Sequence, residues 1–155
     1  MKLKYSLLLL LLTFISCANE QRMKDFVQCA KDQIGKTYLE GVNARGPTEF
    51  SNSGLIWYCR DVANFPKAST IYVSWRDVKK PVIGAYVYGI IKQVGDCVTT
   101  DSLGIIVSLN PTMVVAGDPE KGILTKHRLQ FEKEYIRVEY LYVDEFHVST
   151  IVESQ

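Results

Sequence analysis

Histidine is scarce in this chain. His127 and His147 are the only two in 155 residues, and none of the four cysteines, Cys17, Cys29, Cys59 and Cys97, stands in a Cys-x-x-Cys pair. A zinc site therefore has few nitrogen and sulfur ligands to draw on, and no metal or cofactor is expected. An excess of positive charge is lacking too, with 18 Lys and Arg against 17 Asp and Glu. That balance excludes a nucleic-acid-binding face and a polybasic membrane surface. Long apolar runs are absent beyond the amino terminus. The run from Leu7 to Ile15 is shorter than the roughly 20 residues that cross a bilayer, so no membrane span is expected.

What the amino terminus does contain is a leader. Lys2 and Lys4 precede the apolar run, and Ser16-Cys17-Ala18 supplies small residues around a cleavage point. This is the pattern of a secretory signal peptide over residues 1–18, and the protein is expected to be secreted, to the periplasm or the exterior. A second reading makes Cys17 a lipid anchor after cleavage at Ser16, although Phe14 stands where bacterial lipoproteins usually carry Leu. Loss of Lys2 and Lys4 leaves 16 basic against 17 acidic residues, a net charge of −1. Residues 19–155 suit a single domain with one core, and no linker, repeat or low-complexity tract divides them. Three cysteines remain, an odd number for an oxidising compartment, so one disulfide and one free thiol can coexist.

Two helices are expected first. Met23, Phe26, Val27, Ala30 and Ile34 recur at spacings of three and four, as one helical face requires, and Gly35 ends the run. After a turn-rich loop from Gly41 to Pro47, Ser53 to Ala63 forms the second helix, stopped by Asn64, Phe65 and Pro66. Beyond Pro81 the chain changes to short runs rich in β-branched and aromatic residues: Ala85–Ile91, Leu103–Leu109, Thr112–Ala116, Ile123–Leu129 and Tyr135–Val143. These read as strands, separated by the turn formers Gly95-Asp96, Asn110-Pro111 and Gly117-Asp118-Pro119. Helices first and a mostly antiparallel sheet afterwards predict an α+β domain with the helices on one face of the sheet. The charged segment Glu132–Val143 is expected at the sheet's edge.

Several short segments resemble the NlpC family of papain-like cell-wall cysteine peptidases. Gly35-Lys36-Thr37-Tyr38 with Gly41 is similar to that family's Gly-Lys-Pro-Tyr-x-x-Gly. Phe50-Ser51-Asn52-Ser53-Gly54-Leu55 is similar to its Phe-Asp-Cys-Ser-Gly-Leu, and Phe65-Pro66 to the Leu-Pro after the second helix. Gly84-Ala85-Tyr86-Val87-Tyr88 resembles Gly-Asp-Leu-Val-Phe, Ser102-Leu103-Gly104-Ile105 resembles His-Val-Gly-Ile, and Met113-Val114-Val115-Ala116 resembles Met-Ile-His-Ala. The six segments follow the family's order along nearly all of the chain past the leader.

The resemblance implies a papain-like NlpC-type fold and places the nucleophilic cysteine, its histidine base and the residue that orients the base at Asn52, Ser102 and Val115. A thiolate at a helix amino end, deprotonated by a facing imidazole, attacks a peptide carbonyl in such enzymes. An amide is no nucleophile, a serine hydroxyl has no useful basicity and valine has no polar atom. The expectation is therefore a non-catalytic pseudoenzyme that binds a peptide, a peptidoglycan fragment (a glycopeptide) or a protein partner through the former active-site groove, formed by Tyr38, Glu40, Asn52, Ser53, Ser102 and Val115. In the implied fold, Leu103–Leu109 is central with Gly104, Ile105 and Val107 buried, and Asn52 points at Ser102; if two cysteines pair, Cys29 pairs with Cys59 across the two helices, while the more ordinary reading makes at least two of the three buried apolar cysteines. Asn52 and Ser53 have a bland reading as helix-capping residues.

An alternative is an active cell-wall peptide hydrolase with relocated machinery. Ser53 with His127 or His147 is one such pairing, and Cys97, expected in a long loop, with a histidine is another. Neither has a recognised spacing. Among the aromatic residues, Trp57, Tyr88 and especially Trp75-Arg76 are surface-contact candidates, whereas Tyr58 and Tyr86 read as core.

Overall fold

The computed structural model describes residues 19–41, 44–65, 75–95 and 97–143; the leader, Cys17 and His147 lie outside them. Helix α1 covers residues 19–32. Short strands β1 (Thr37–Tyr38) and β2 (Glu49–Phe50) pair in parallel, and α2 (Asn52–Val62) follows. Six strands make the main sheet: β3 (Trp75–Val78), β4 (Tyr86–Val94), β5 (Cys97–Leu109), β6 (Thr112–Asp118), β7 (Gly122–His127) and β8 (Arg137–Val143), with the helical turn α3 (Arg128–Phe131) between the last two. Their order is β3-β8-β4-β5-β6-β7, with every neighbouring pair antiparallel. The domain is α+β. Among the described residues no helix is long and apolar enough to cross a membrane.

The apolar face of α1 buries Phe26, Val27, Cys29 and Ala30, but the helix stops before Ile34, which is exposed while Gln33 is buried in its place. Gly35 turns the chain there with φ +89°, and its N–H donates to the Ile123 carbonyl at 2.8 Å. The turn thus serves the sheet, and the helical period is cut short by one residue of its face.

Both faces of the sheet are buried. Ile105, Val107, Val115 and Ile123 pack with Phe26, Phe50, Leu55 and Cys59 on the helical side. Val87, Leu103, Ile106, Val114 and Ala116 form a second cluster with Phe131 and Tyr140. This is why the runs in β5 and β6 are nearly continuous in apolar residues and do not alternate with polar ones. Strand β5 lies inside the sheet, with Gly104, Ile105 and Val107 buried as expected.

Three expectations are corrected. The segment read as an edge, Glu132–Val143, supplies β8, which is flanked by β3 and β4; β3, a four-residue strand carrying Arg76 and Asp77, was too short and charged to be legible and takes the edge. The strand read from Ile123 to Leu129 ends at His127, because α3 begins there and turns Phe131 into the second core. Strand β5 starts six residues before Leu103, so Cys97 belongs to a strand, opposite Val94 beside the Gly95 turn, and not to a loop. The surface role expected of the Trp75 and Arg76 side chains lies outside the described part, although their backbones pair with β8.

The two helices bring Cys29 and Cys59 together, buried and hydrogen-bonded to one another as free thiols, which is the reading of buried apolar cysteines and not that of a disulfide between them. The bond with Cys29 together with burial pushes the Cys59 thiol far above its usual range, which keeps it protonated and unreactive. Cys97 is exposed. In the chain from Asn19 onward, a thiol reagent is expected to modify Cys97 at once and Cys29 and Cys59 only after denaturation. Mass spectrometry of the labelled protein checks this, and a denatured chain with a single reactive thiol would instead reveal a Cys29–Cys59 disulfide.

Candidate functional site

The site is built around the first turn of α2. Ser51 caps the helix from an extended conformation (φ −87°, ψ 167°), its hydroxyl accepting from the Gly54 N–H at 3.0 Å. Capping therefore belongs to Ser51 and not to Asn52 or Ser53. Ser51 is held in turn by its own N–H, which donates to the Ala44 carbonyl at 3.0 Å. Gly54 is required here because a side chain would overlap that same carbonyl. Phe50, fully buried and packed edge-on against Tyr58 at 5.2 Å between ring centroids, fixes the strand that enters the helix.

With the cap supplied by Ser51, the Asn52 side chain is available to reach across to the sheet. Its Oδ1 accepts from the Gly117 N–H on β6 at 2.7 Å, and this corrects the expectation that it points at Ser102. Gly117 was read as part of a turn; it is the buried sixth residue of β6, and the ring of Tyr38 occupies the space that any side chain there would need. Asn52, Gly117 and Tyr38 thus join α2, β6 and β1 at one point.

Ser102, on β5, bonds to the Tyr86 hydroxyl at 2.8 Å. Asn52 and Ser102 nevertheless share a cavity of about 300 Å3, lined also by Tyr38, Gly41, Ser51, Ser53 and Asp101. A second cavity of about 160 Å3 adjoins it, sharing Ser53 and Ser102 and walled by Ile56, Trp57, Tyr86 and Leu141. Together they form a groove with a hydroxyl-rich half and an apolar half. The Trp57 ring is stacked by two guanidiniums, those of Arg60 at 4.8 Å and Arg45 at 5.6 Å, an arrangement that favours one ring orientation.

Of the expected groove residues, Tyr38, Asn52, Ser53 and Ser102 meet here. Glu40 is exposed at the rim, where its charge, after burial, raises the Tyr38 phenol above its usual pKa. Val115 does not belong: it is fully buried between Phe50, Leu55 and Ile123 and lines neither cavity. An apolar side chain at that position completes the core in place of facing the groove. Sequence reasoning missed Asp101 and placed Tyr86 in the core; Tyr86 does pack on the core, but its hydroxyl end lines the groove. The only sequence signal for Asp101 was its place immediately before Ser102.

The pairing of Ser53 with His127 is not assembled, and His147 lies outside the described residues. His127 pairs with Met113, four residues along β6 from the Asn52 contact at Gly117, a distance of about 13 Å. Its Nδ1 accepts from the Leu129 N–H at 3.2 Å and caps α3. Among the described residues, no three His, Cys, Asp or Glu side chains are grouped so as to hold a metal ion. What the groove offers chemically is hydrogen bonding from an amide, three serine hydroxyls and two phenols, one carboxylate, and an aromatic wall.

Removing the Asn52 acceptor leaves the buried Gly117 N–H without its partner, so Asn52→Ala is expected to cost about 1–2 kcal/mol of stability. Asn52→Asp keeps an acceptor and is expected to cost less. Denaturant titration of the two variants measures both, and equal losses would show that the bond to Gly117 contributes nothing. No protein-family model matches this sequence, and no curated protein matches it.

Proposed function

We propose that this chain is an exported, papain-like relative of the NlpC cell-wall peptidases that binds a wall peptide or glycopeptide without cleaving it. Two features support the fold part of this reading. Helices α1 and α2 precede the six-stranded sheet, and the amino end of α2 abuts the interior strands β5 and β6 where the resembling motifs Phe50–Leu55 and Ser102–Ile105 lie. The observation that carries the functional part is the chemistry of the groove at that junction. Asn52 is engaged by a backbone N–H, Ser102 by a phenol, and Val115 is sealed into the core. Such a site can hold a ligand by hydrogen bonds and ring contacts. Covalent attack requires an activated nucleophile next to a base, and the described residues lining the groove include no thiol and no imidazole.

Export follows in this proposal from the leader over residues 1–18. The balance of charge in the remaining chain fits a partner recognised through a defined groove and not through a broad electrostatic surface.

The test uses the chain from Asn19 onward with disaccharide-peptide and stem-peptide fragments of bacterial cell wall. Calorimetry is expected to show saturable binding, while an assay for newly released amines shows no turnover, and Asn52→Cys alone does not create any. Turnover by the unaltered protein that disappears in a folded Ser53→Ala variant would overturn the proposal in favour of a hydrolase with relocated residues.

A further inference from the structure

Asp101 is the one charged side chain lining the groove among the described residues, and no Lys, Arg or His accompanies it in either half. We infer that the groove takes a ligand carrying an ammonium group beside an apolar side chain, the ammonium against Asp101 and the apolar group against Trp57, Tyr86 and Leu141. The inference rests on the reading that this groove binds ligand, and adds what kind of ligand it selects.

The carboxylate is presented by a specific arrangement. Gly89, the β4 residue paired with Asp101, lacks a side chain where the ring of Tyr135 lies across the strand. The Tyr135 hydroxyl then donates to Asp101 Oδ2 at 3.1 Å. Among the described residues this is the one hydrogen bond that its carboxylate makes, and an ionised carboxylate accepts about four. The remaining acceptor positions suit the three N–H donors of an ammonium.

The surrounding groups reinforce that choice. The Tyr38, Tyr86 and Tyr135 phenols are each raised above their usual pKa, first by burial and in part by the Asp101 charge. They remain neutral at physiological pH, so they donate hydrogen bonds and offer ring faces without adding charge. Ring faces attract a cation, and Glu40 at the rim adds a second negative charge. An anionic ligand would meet the Asp101 charge, while the nearby guanidiniums of Arg45 and Arg60 are held against the Trp57 ring at the apolar end and do not line the cavity beside Asp101. The adjoining cavity of about 160 Å3 has room for an aliphatic or a single aromatic side chain, and its walls of Ile56, Trp57 and Leu141 are apolar. Because the two halves share Ser53 and Ser102, both groups must sit on the same short piece of ligand, as an α-amine and the first side chain of a peptide do.

Phenylalanine amide, with a free ammonium, and N-acetyl-phenylalanine amide, which is neutral, distinguish the outcomes when titrated into the chain from Asn19 onward and followed by NMR. The ammonium form is expected to bind about tenfold more tightly, as the loss of one charge-assisted hydrogen bond implies, and to shift the Ser53, Asp101 and Ser102 amides. Asp101→Asn is expected to abolish the preference, and added salt to narrow it. Tyr135→Phe, which keeps the charge but frees the carboxylate, is expected to weaken binding while retaining the preference. Equal binding of the two probes, a preference that survives Asp101→Asn, or no saturable shift in the groove overturns the inference. Wall fragments that fail to bind while the ammonium probe still does would refute the proposed function and leave the ammonium site standing. Wall fragments that bind without any probe preference would do the reverse.

Discussion

The close approach of the α2 first turn to its surroundings is the constraint on which the rest of the site depends. Gly54 lets the helix touch the Ala44 carbonyl, Ser51 caps the helix and is itself tethered to Ala44, and Asn52 reaches the Gly117 N–H on β6. Each of these contacts needs a small or short polar side chain at one position. Together they set the distance between the helix end and the sheet, and hence the width of the groove that opens between them. Tyr38 over Gly117 makes the same demand from the other side, tying β1 to β6. A chain with bulkier residues at Gly54 and Gly117 would hold the same secondary structure but hold it further apart.

The groove's chemistry follows from which side chains face outward at this junction. Val115 points into the core with Ile105 and Ile123, so the apolar content of β6 is consumed by packing. On β5, Ser102 and the exposed Asp101 precede the buried run from Leu103 to Val107. The change from polar to apolar along β5 marks where the strand passes from the groove into the core. Burial keeps the phenols protonated, and the Asp101 carboxylate supplies the charge among the groove's described lining. The hydrogen-bonding capacity of that lining is what supports the proposed binding role.

The aromatic wall illustrates how the same residue type divides between two duties. Tyr58 packs edge-on to Phe50 at the core. Trp57, its neighbour on α2, turns toward the groove and is stacked by Arg45 and Arg60. Arg60 is itself buried, and burial lowers its pKa. Burying a guanidinium costs free energy unless the charge is compensated, and the Trp57 ring face supplies part of that compensation, which ties the ring to the groove wall.

The sequence by itself determined that α1 and α2 precede the main sheet, the burial of β5 and the location of the α2 amino end, because these rest on local periodicity and on short turn and cap signals that are read within a few residues. Tyr38, Asn52, Ser53 and Ser102, expected in one groove from the resemblance of their motifs, do meet there, whereas Val115, expected with them, is in the core. The sequence did not show the short pair β1 and β2, the edge strand β3, the turn α3 or the extension of β5 to Cys97, whose form is decided by what pairs or packs beside them. Nor did it show which partner each polar group takes. Asn52 selects Gly117 over Ser102, Ser51 takes the cap, and His127 is drawn into capping α3, all through contacts between residues distant along the chain or through alternatives of nearly equal local merit. Tyr135 and Asp101 are 34 residues apart and meet only because Gly89 leaves room between them. Local signals set the elements, and the tertiary structure alone assigned the hydrogen bonds that turn the junction of α2 and β5 into a groove.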